Sequence, residues 1–359
     1  MQIAAVAHAL PEHHYAQEDL VAQALALFGQ GGGNLDRLPS FHQNTSVGRR
    51  YLAVPVEQYS KLKTFTDRNN VYIQVATDLG IQVIQKVLAQ AGLCVTDVDH
   101  IFLVSTTGIA TPSIDSHWIN RLGMRPDIKR TPIFGLGCVG GAAGLARAAD
   151  YARAFPSEVV LLVAIELCSL TLQRNDLSLA NIIASGLFGD GAAAVLFGKR
   201  KARSVLGRCE PCYQQVCPRV VATRSVFYSD TESVAGWHIG TDGFRLILSA
   251  RIPELVKERI PDDVASFLGA NGLTLSEIGT FVIHPGGPKV MATMEQALAL
   301  KSSALALSRQ VLSEVGNLSS VSVLMILEQA VQRPPPPGTF GLMLAVGPGF
   351  CSELVLLQW

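Results

Sequence analysis

Val87-Leu-Ala-Gln-Ala-Gly-Leu-Cys-Val-Thr-Asp-Val-Asp-His-Ile-Phe-Leu-Val104 has an echo later in the chain, Phe267-Leu-Gly-Ala-Asn-Gly-Leu-Thr-Leu-Ser-Glu-Ile-Gly-Thr-Phe-Val-Ile-His284. The two align without a gap at a constant offset of 180 residues. Leu88 falls on Leu268, Gly92 on Gly272, Leu93 on Leu273, and Thr96-Asp97-Val98 on Ser276-Glu277-Ile278. Each copy reads as a helix end, a glycine turn, a capping hydroxyl and carboxylate, and a buried strand. Chance likeness between two amphipathic segments is the plainer reading, and the shared Gly-Leu pair speaks against it. A second echo sets Phe188-Gly-Asp-Gly-Ala-Ala-Ala-Val-Leu-Phe197 beside Phe340-Gly-Leu-Met-Leu-Ala-Val346. The chain is therefore expected to hold two halves of similar order, residues 1–205 and 206–359. Two copies are too few for a solenoid.

Outward from the repeat, strands alternate with helices. Residues 2–8 read as a strand and 17–28 as a helix, followed by a flexible Gly31-Gly-Gly33. A helix over 70–91 places Val71, Val75, Leu79, Val83 and Val87 on one face. Strand 131–134, helix 138–154, strand 159–165, helix 177–186 and strand 190–197 follow. After the second copy, with its strand over 279–283, come helices over 288–299, 303–315 and 319–331. Pro334 to Pro337 then stop the helix, and strands over 339–346 and 350–357 close the chain. Residues 199–240 are the least regular part, where the halves are expected to join. The alternation predicts an α/β fold with a buried sheet.

Composition excludes several classes. The 359 residues carry no net formal charge and only 16% are charged, so no global basic balance favours nucleic acid or an anionic membrane. The longest apolar runs, such as Val159 to Ile165, are too short to span a bilayer as a helix. The N-terminus lacks a basic segment and a long apolar one, so no signal peptide is expected. Seven cysteines, an odd count in a long chain, argue against a disulfide framework and for a reducing cytoplasm.

Three polar points stand out. Cys138 lies in Phe134-Gly-Leu-Gly-Cys138-Val-Gly-Gly, between a strand and a helix. Glycines there let a substrate approach the main chain, and a helix N-terminus favours thiolate. A buried, inert cysteine is the commoner fate of such a residue. His284 ends a strand in His284-Pro-Gly-Gly-Pro288, and Asn317 sits between helices in Gly316-Asn317-Leu-Ser-Ser320. Singly they read as a core histidine and a helix cap. Together a Cys, a His and an Asn suit thiolate chemistry on acyl groups, with two donors for a developing oxyanion. Arg37, Arg49 and Arg50 form a small basic group that reads as a solvated face. Cys209-x2-Cys212-x4-Cys217 invites a zinc module, but no fourth ligand is near and no metal is expected.

With Gly347-Pro-Gly349 and Leu187-Phe-Gly-Asp-Gly-Ala192 added, the sequence resembles the type III polyketide synthases, the chalcone synthase-like enzymes, over nearly its whole length. The resemblance implies the thiolase fold: two pseudo-symmetric α/β halves packed as a layered α/β/α/β/α core, normally a homodimer. It implies that Cys138 carries the starter acyl group and growing chain, and that His284 and Asn317 promote malonyl-CoA decarboxylation. Phe188 would line the junction of CoA tunnel and cavity, with Leu246 where the family has a second phenylalanine. Thr107, Cys168, Thr171, Trp237, Ser319 and Pro348 would line the cavity. Arg49 and Arg37 would contact CoA phosphates, and Thr111 would reach across a dimer interface. No bound cofactor is implied, only acyl-CoA and malonyl-CoA as substrates. The segment from Glu166 to Gln173 looks bacterial, and Thr171, where a naphthalene-forming relative would carry cysteine, leans toward an acyl starter and an alkylpyrone or alkylresorcinol. The rival readings are a ketoacyl-ACP synthase III-like enzyme making one condensation, a zinc-binding protein, and a silent acyl-binding protein.

Overall fold

The structure, a computed structural model, describes residues 1–29, 34–198 and 216–359. The glycines 31–33, the expected boundary at 205/206, Cys209 and Cys212 lie outside the described residues. The first half runs β1 (Ile3–Ala9), β2 (His13–Ala16), α1 (Gln17–Phe28), α2 (Leu38–Gln43), β3 (Arg49–Leu52), α3 (Phe65–Ala91) and β4 (His100–Val104). It continues through α4 (Ile114–Leu122), β5 (Lys129–Ile133), α5 (Gly140–Ala154), β6 (Val160–Leu167), α6 (Leu179–Leu187) and β7 (Asp190–Phe197). The second half runs β8 (Arg219–Phe227), β9 (Ala235–Gly240), β10 (Gly243–Leu248), α7 (Ile252–Gly269), β11 (Ile278–Ile283) and α8 (Pro288–Ala297). It ends with α9 (Ala306–Val315), α10 (Ser320–Gln332), β12 (Phe340–Gly347) and β13 (Cys351–Gln358).

Both copies of the repeat fold alike. Gly92 after α3 and Gly272 after α7 share φ of +69°, a left-handed turn that favours glycine. A single 3₁₀ turn follows in each, Val95–Asp97 and Leu275–Glu277. It is fastened where Asp97 accepts from the Cys94 N–H at 2.9 Å and Glu277 from the Thr274 N–H at 2.8 Å. β4 then pairs in parallel with β6, and β11 with β12.

The larger sheets have orders β1-β7-β6-β4-β5 and β11-β12-β13-β8. In each, the repeat strand, its parallel neighbour, an antiparallel strand and the first strand of the half lie side by side. β4, β6, β7 and β1 thus correspond to β11, β12, β13 and β8. This corrects the second echo, which set β7 beside β12; the counterpart of β7 is β13. Strands buried on both faces are near-continuous apolar runs, and such runs resemble one another whatever their place in a sheet. The described part of the stretch expected to be irregular, residues 216–240, is also more regular than expected, since it contains β8 and β9. β8 sits at a sheet edge with alternating exposure and several polar residues, which weakens its apolar signal.

α5 and α10 lie between the sheets and touch both, while α3 covers the far face of the first sheet and α7 packs on the second. This is the layered α/β/α/β/α arrangement. Every residue of α10 from Ser320 to Glu328 is buried, as a helix in a central layer must be. α5 and α10 meet at backbone distance. A Cβ at Gly141 would stand 2.0 Å from the Ser320 carbonyl oxygen.

Candidate active site

Cys138 sits in the 3₁₀ turn Gly137–Val139 that leads into α5. Gly137 has φ of +52°, and a Cβ there would come within 2.7 Å of the Pro348 ring, so the 347–349 turn closes directly onto it. The corresponding place in the second half, the entrance to α10, carries Asn317 and Ser319. Asn317 is held by a parallel bridge to Phe188: its N–H donates to the Leu187 carbonyl at 2.9 Å, and the Gly189 N–H donates to its carbonyl at 3.0 Å. His284 leaves β11 with its N–H donating to the Leu344 carbonyl at 2.9 Å. The structure brings Cys138, His284 and Asn317 to one cavity of about 90 Å³, with Phe188, Cys168, Trp237, Leu246, Ser319 and Pro348 around it.

None of the described residues lining that cavity is Lys, Arg, Asp or Glu. Burial pushes the Cys138 thiol up to about 11, while the Ser319 hydroxyl, 3.7 Å from Sγ, acts in the other direction. Burial lowers the His284 imidazole to about 4. In the unliganded cavity the loss of water thus works against the thiolate that the sequence suggested. His284 is 4% exposed, and neither ring nitrogen has a partner among the described residues. A buried imidazole left this way suits a ligand that is not there all the time. Asn317 is oriented by Ser319, whose N–H donates to Oδ1 at 2.8 Å, leaving the amide N–H groups to donate. One faces the Gly286 carbonyl at 3.5 Å. Ser319 reaches this position at φ of +50°, a left-handed conformation that costs a non-glycine residue ~1–3 kcal/mol.

A second cavity of about 430 Å³ lies alongside and shares Cys168, Phe188, Trp237 and Leu246 with the first. Trp237 and Leu246 face each other in the β9–β10 hairpin. Thr171 lines the larger cavity, its hydroxyl donating to the Cys168 carbonyl at 2.7 Å. Thr107 lines neither. Its hydroxyl is committed to the structure, donating to Glu166 at 2.8 Å and accepting from the Leu167 N–H at 2.9 Å.

From the sequence Glu166 stands only as the start of the bacterial-looking segment, with no role of its own. It is fully buried and accepts from the Thr106 N–H and hydroxyl, the Thr107 hydroxyl and, at 2.6 Å, the Ser320 hydroxyl. It therefore fastens the end of β6 to the start of α10, and burial raises its carboxyl to about 7.

The three arginines do not form one solvated group. Arg49 is exposed at the start of β3, and Arg37 is exposed with its guanidinium 4.8 Å from the Phe41 ring centre. Neither lines the two cavities. Arg50, one step along the strand from Arg49, points inward and is 6% exposed. Thr111 is exposed and lines neither cavity in the single chain. Cys217 is buried with Sγ 3.7 Å from the Ala4 carbonyl. Among the described residues no group of three His, Cys, Asp or Glu could hold a metal, and no helix is long and apolar enough to cross a membrane.

Comparison with known proteins bears on the family and the fold. The family model of the N-terminal domain of chalcone and stilbene synthases matches residues 2–200, and that of the C-terminal domain matches 219–359. A 1,3,6,8-tetrahydroxynaphthalene synthase of Streptomyces peucetius subsp. caesius is 46% identical over 359 residues, 99% of this chain and 93% of the relative. A phloroglucinol synthase of Pseudomonas fluorescens is 30% identical, covering 88% of this chain and 87% of the relative. The crystal structure of the tetrahydroxynaphthalene synthase from Streptomyces coelicolor A3(2) superposes with a TM-score of 0.90 at 30% identity, over 100% of this chain and 99% of that one.

Proposed function

Since this chain belongs to the chalcone and stilbene synthase family and is a type III polyketide synthase, we propose the following division of labour. Cys138 attacks the carbonyl of an acyl-CoA. His284 takes the thiol proton and returns it to the departing CoA sulfur. Malonyl-CoA then binds with its thioester oxygen toward His284 and Asn317. The bond to its carboxylate breaks, CO2 leaves, and the electron pair becomes an enolate whose oxygen accepts hydrogen bonds from both residues. The enolate carbon attacks the Cys138 thioester and frees the sulfur as thiolate. The chain, two carbons longer, now sits on CoA as a β-ketoacyl thioester; the Cys138 thiolate attacks it and releases CoA, and repetition followed by ring closure gives a pyrone or a phenol.

The observation that carries this reading is the shared cavity of Cys138, His284 and Asn317 without a charged lining residue. A carboxylate in such a place is poorly stabilised, which favours its loss as CO2. The test is incubation with acyl-CoA and malonyl-CoA, read by mass spectrometry. Products with several added two-carbon units support the reading, whereas a single condensation points to the ketoacyl synthase chemistry. In the same reading Arg37 and Arg49 bind CoA phosphates, for which guanidinium is well suited. The enzyme works as a homodimer with Thr111 at the interface, in the reducing cytoplasm. Sedimentation of the purified protein at the mass of one chain would remove the dimer from this account. The relatives' names include a naphthol, a phloroglucinol and an alpha-pyrone product, so they span both product classes and do not test the acyl-starter lean drawn from Thr171.

A further inference from the structure

The larger cavity contains a group for which the condensation has no use. Arg50 Nε donates to Gln17 Oε1 at 2.9 Å, and Nη1 donates to the carbonyls of Ser185 at 2.5 Å and Phe188 at 3.2 Å. Nη2 donates to no atom of the described residues, although Arg50 lines the cavity. Asp190 acts on it as a countercharge, yet the Asp190 oxygens are occupied by the Ser169 N–H and hydroxyl and by the Ala53 N–H. The hydroxyls of Tyr59 and Ser169, paired with each other at 2.5 Å, line the same cavity. The remaining wall mixes aliphatic side chains, including Leu20, Leu52 and Leu172, with polar ones, among them Glu57 and Arg174, whose guanidinium is engaged by the Ser60 and Leu62 carbonyls at 3.1 and 3.4 Å.

That spare N–H opens on the cavity, where water meets it, so a chain that displaces the water must bring an acceptor or leave a cation unpaired. Burial lowers the Arg50 guanidinium only to about 10, so it stays charged at neutral pH. Its location is specific. Nη1 rests on the carbonyl of Phe188, and Phe188 borders both cavities. A chain end leaving Cys138 past Phe188 arrives beside this guanidinium. A plain alkyl chain would cover it and leave it unpaired.

Resting on the synthase reading above, we infer that the larger cavity takes an anionic, oxygen-bearing chain end and holds it on Arg50 Nη2. Two sources share that chemistry: the carboxylate of a dicarboxylic acyl starter, and the enolate of a 1,3-dicarbonyl chain. The two cavities then treat negative charge oppositely. The smaller one offers a malonyl carboxylate no cation and lets it go, while the larger one retains an anion.

Glutaryl-CoA and pentanoyl-CoA, equal in carbon number, compete for the wild-type enzyme, and the acyl group on Cys138 is read from intact protein mass. A carboxylate source predicts glutaryl loading favoured by on the order of tenfold or more. Arg50→Gln abolishes that preference and Arg50→Lys keeps part of it, with thermal unfolding confirming that both are folded. An enolate source predicts equal loading, but Arg50→Gln releases products shorter by one or more extensions. Should the variants not fold, acetylacetone is expected to inhibit extension by the wild type and 2-pentanone is not. Equal loading together with unchanged product length in Arg50→Gln, or with equal inhibition by the two ketones, overturns the inference. Loading without any extension, for every starter, would instead defeat the synthase reading while leaving the loading ratio readable.

Discussion

The two halves share one architecture and contribute opposite things to the site. The first half places a nucleophilic sulfur at the entrance to α5. The second places an amide and a hydroxyl, Asn317 and Ser319, at the entrance to α10. The repeat offset also matches Val104 with His284. Val104 is fully buried core, and it packs where a Cβ on Gly140 or Gly144 would collide with it. His284 ends the corresponding strand at the cavity wall. Duplication thus supplied two facing helix entrances, and chemistry arose once their side chains differed. One half carries the acyl group, and the other receives the negative charge that condensation creates.

That division predicts separable defects. Cys138→Ala removes the carrier itself and is expected to abolish both acyl loading and chain extension, seen as loss of the acyl mass adduct. An adduct surviving elsewhere on the chain would break the assignment of the first half. Asn317→Ala leaves the carrier intact. Loading should persist while malonyl decarboxylation falls by ~10²–10³-fold, the usual cost of one oxyanion donor. Equal loss of loading and decarboxylation would mean that the halves do not divide the work.

The seam between the halves gives smaller effects. Glu166 has a folded-state pKa of about 7, against an ordinary 4.5. The folded protein therefore holds this proton when the unfolded chain has released it, and stability falls as pH rises between those values. Above pH 7 the penalty is fully present. Glu166→Gln cannot ionise, so in urea unfolding its deficit relative to wild type should narrow between pH 5 and pH 8, by up to about 3 kcal/mol. A deficit that is constant with pH would show that Glu166 does not bury its charge at the seam. Gly141→Ala drives a methyl into the Ser320 carbonyl and should destabilise by ~1–3 kcal/mol. No change in the urea midpoint would show that α5 and α10 can move apart.

The sequence carried the fold where chemistry punctuates it. Gly92 and Gly272, each followed by a capping turn, mark the same junction twice, and the structure forms both junctions alike. The α1 boundaries agree because the amphipathic run has clear ends. α3 starts earlier than its apolar face suggests, since Thr64 and Asp67 cap it outside that face. The β9–β10 hairpin was not read, because its strands are short and its tip, Thr241-Asp242, is exposed. Cys138, His284 and Asn317 were legible from their glycine-rich settings. Thr107 was misjudged as cavity wall because a hydroxyl near a site looks alike whether it faces substrate or a buried carboxylate. Arg50 was misjudged because two adjacent arginines suggest water. The period of a strand, which sends neighbours to opposite faces, was the available signal.

The bridge between Phe188 and Asn317 joins residues far apart in the chain, as does the bond from Glu166 to Ser320. A ribosome that has delivered only the first half has made Cys138 but neither of its partners. The nascent thiol is then an ordinary one, without the groups that would let it capture acyl-CoA. Reactivity is thus timed to the end of synthesis, and catalytic turnover doubles as a report that the last third of the chain has folded onto the rest.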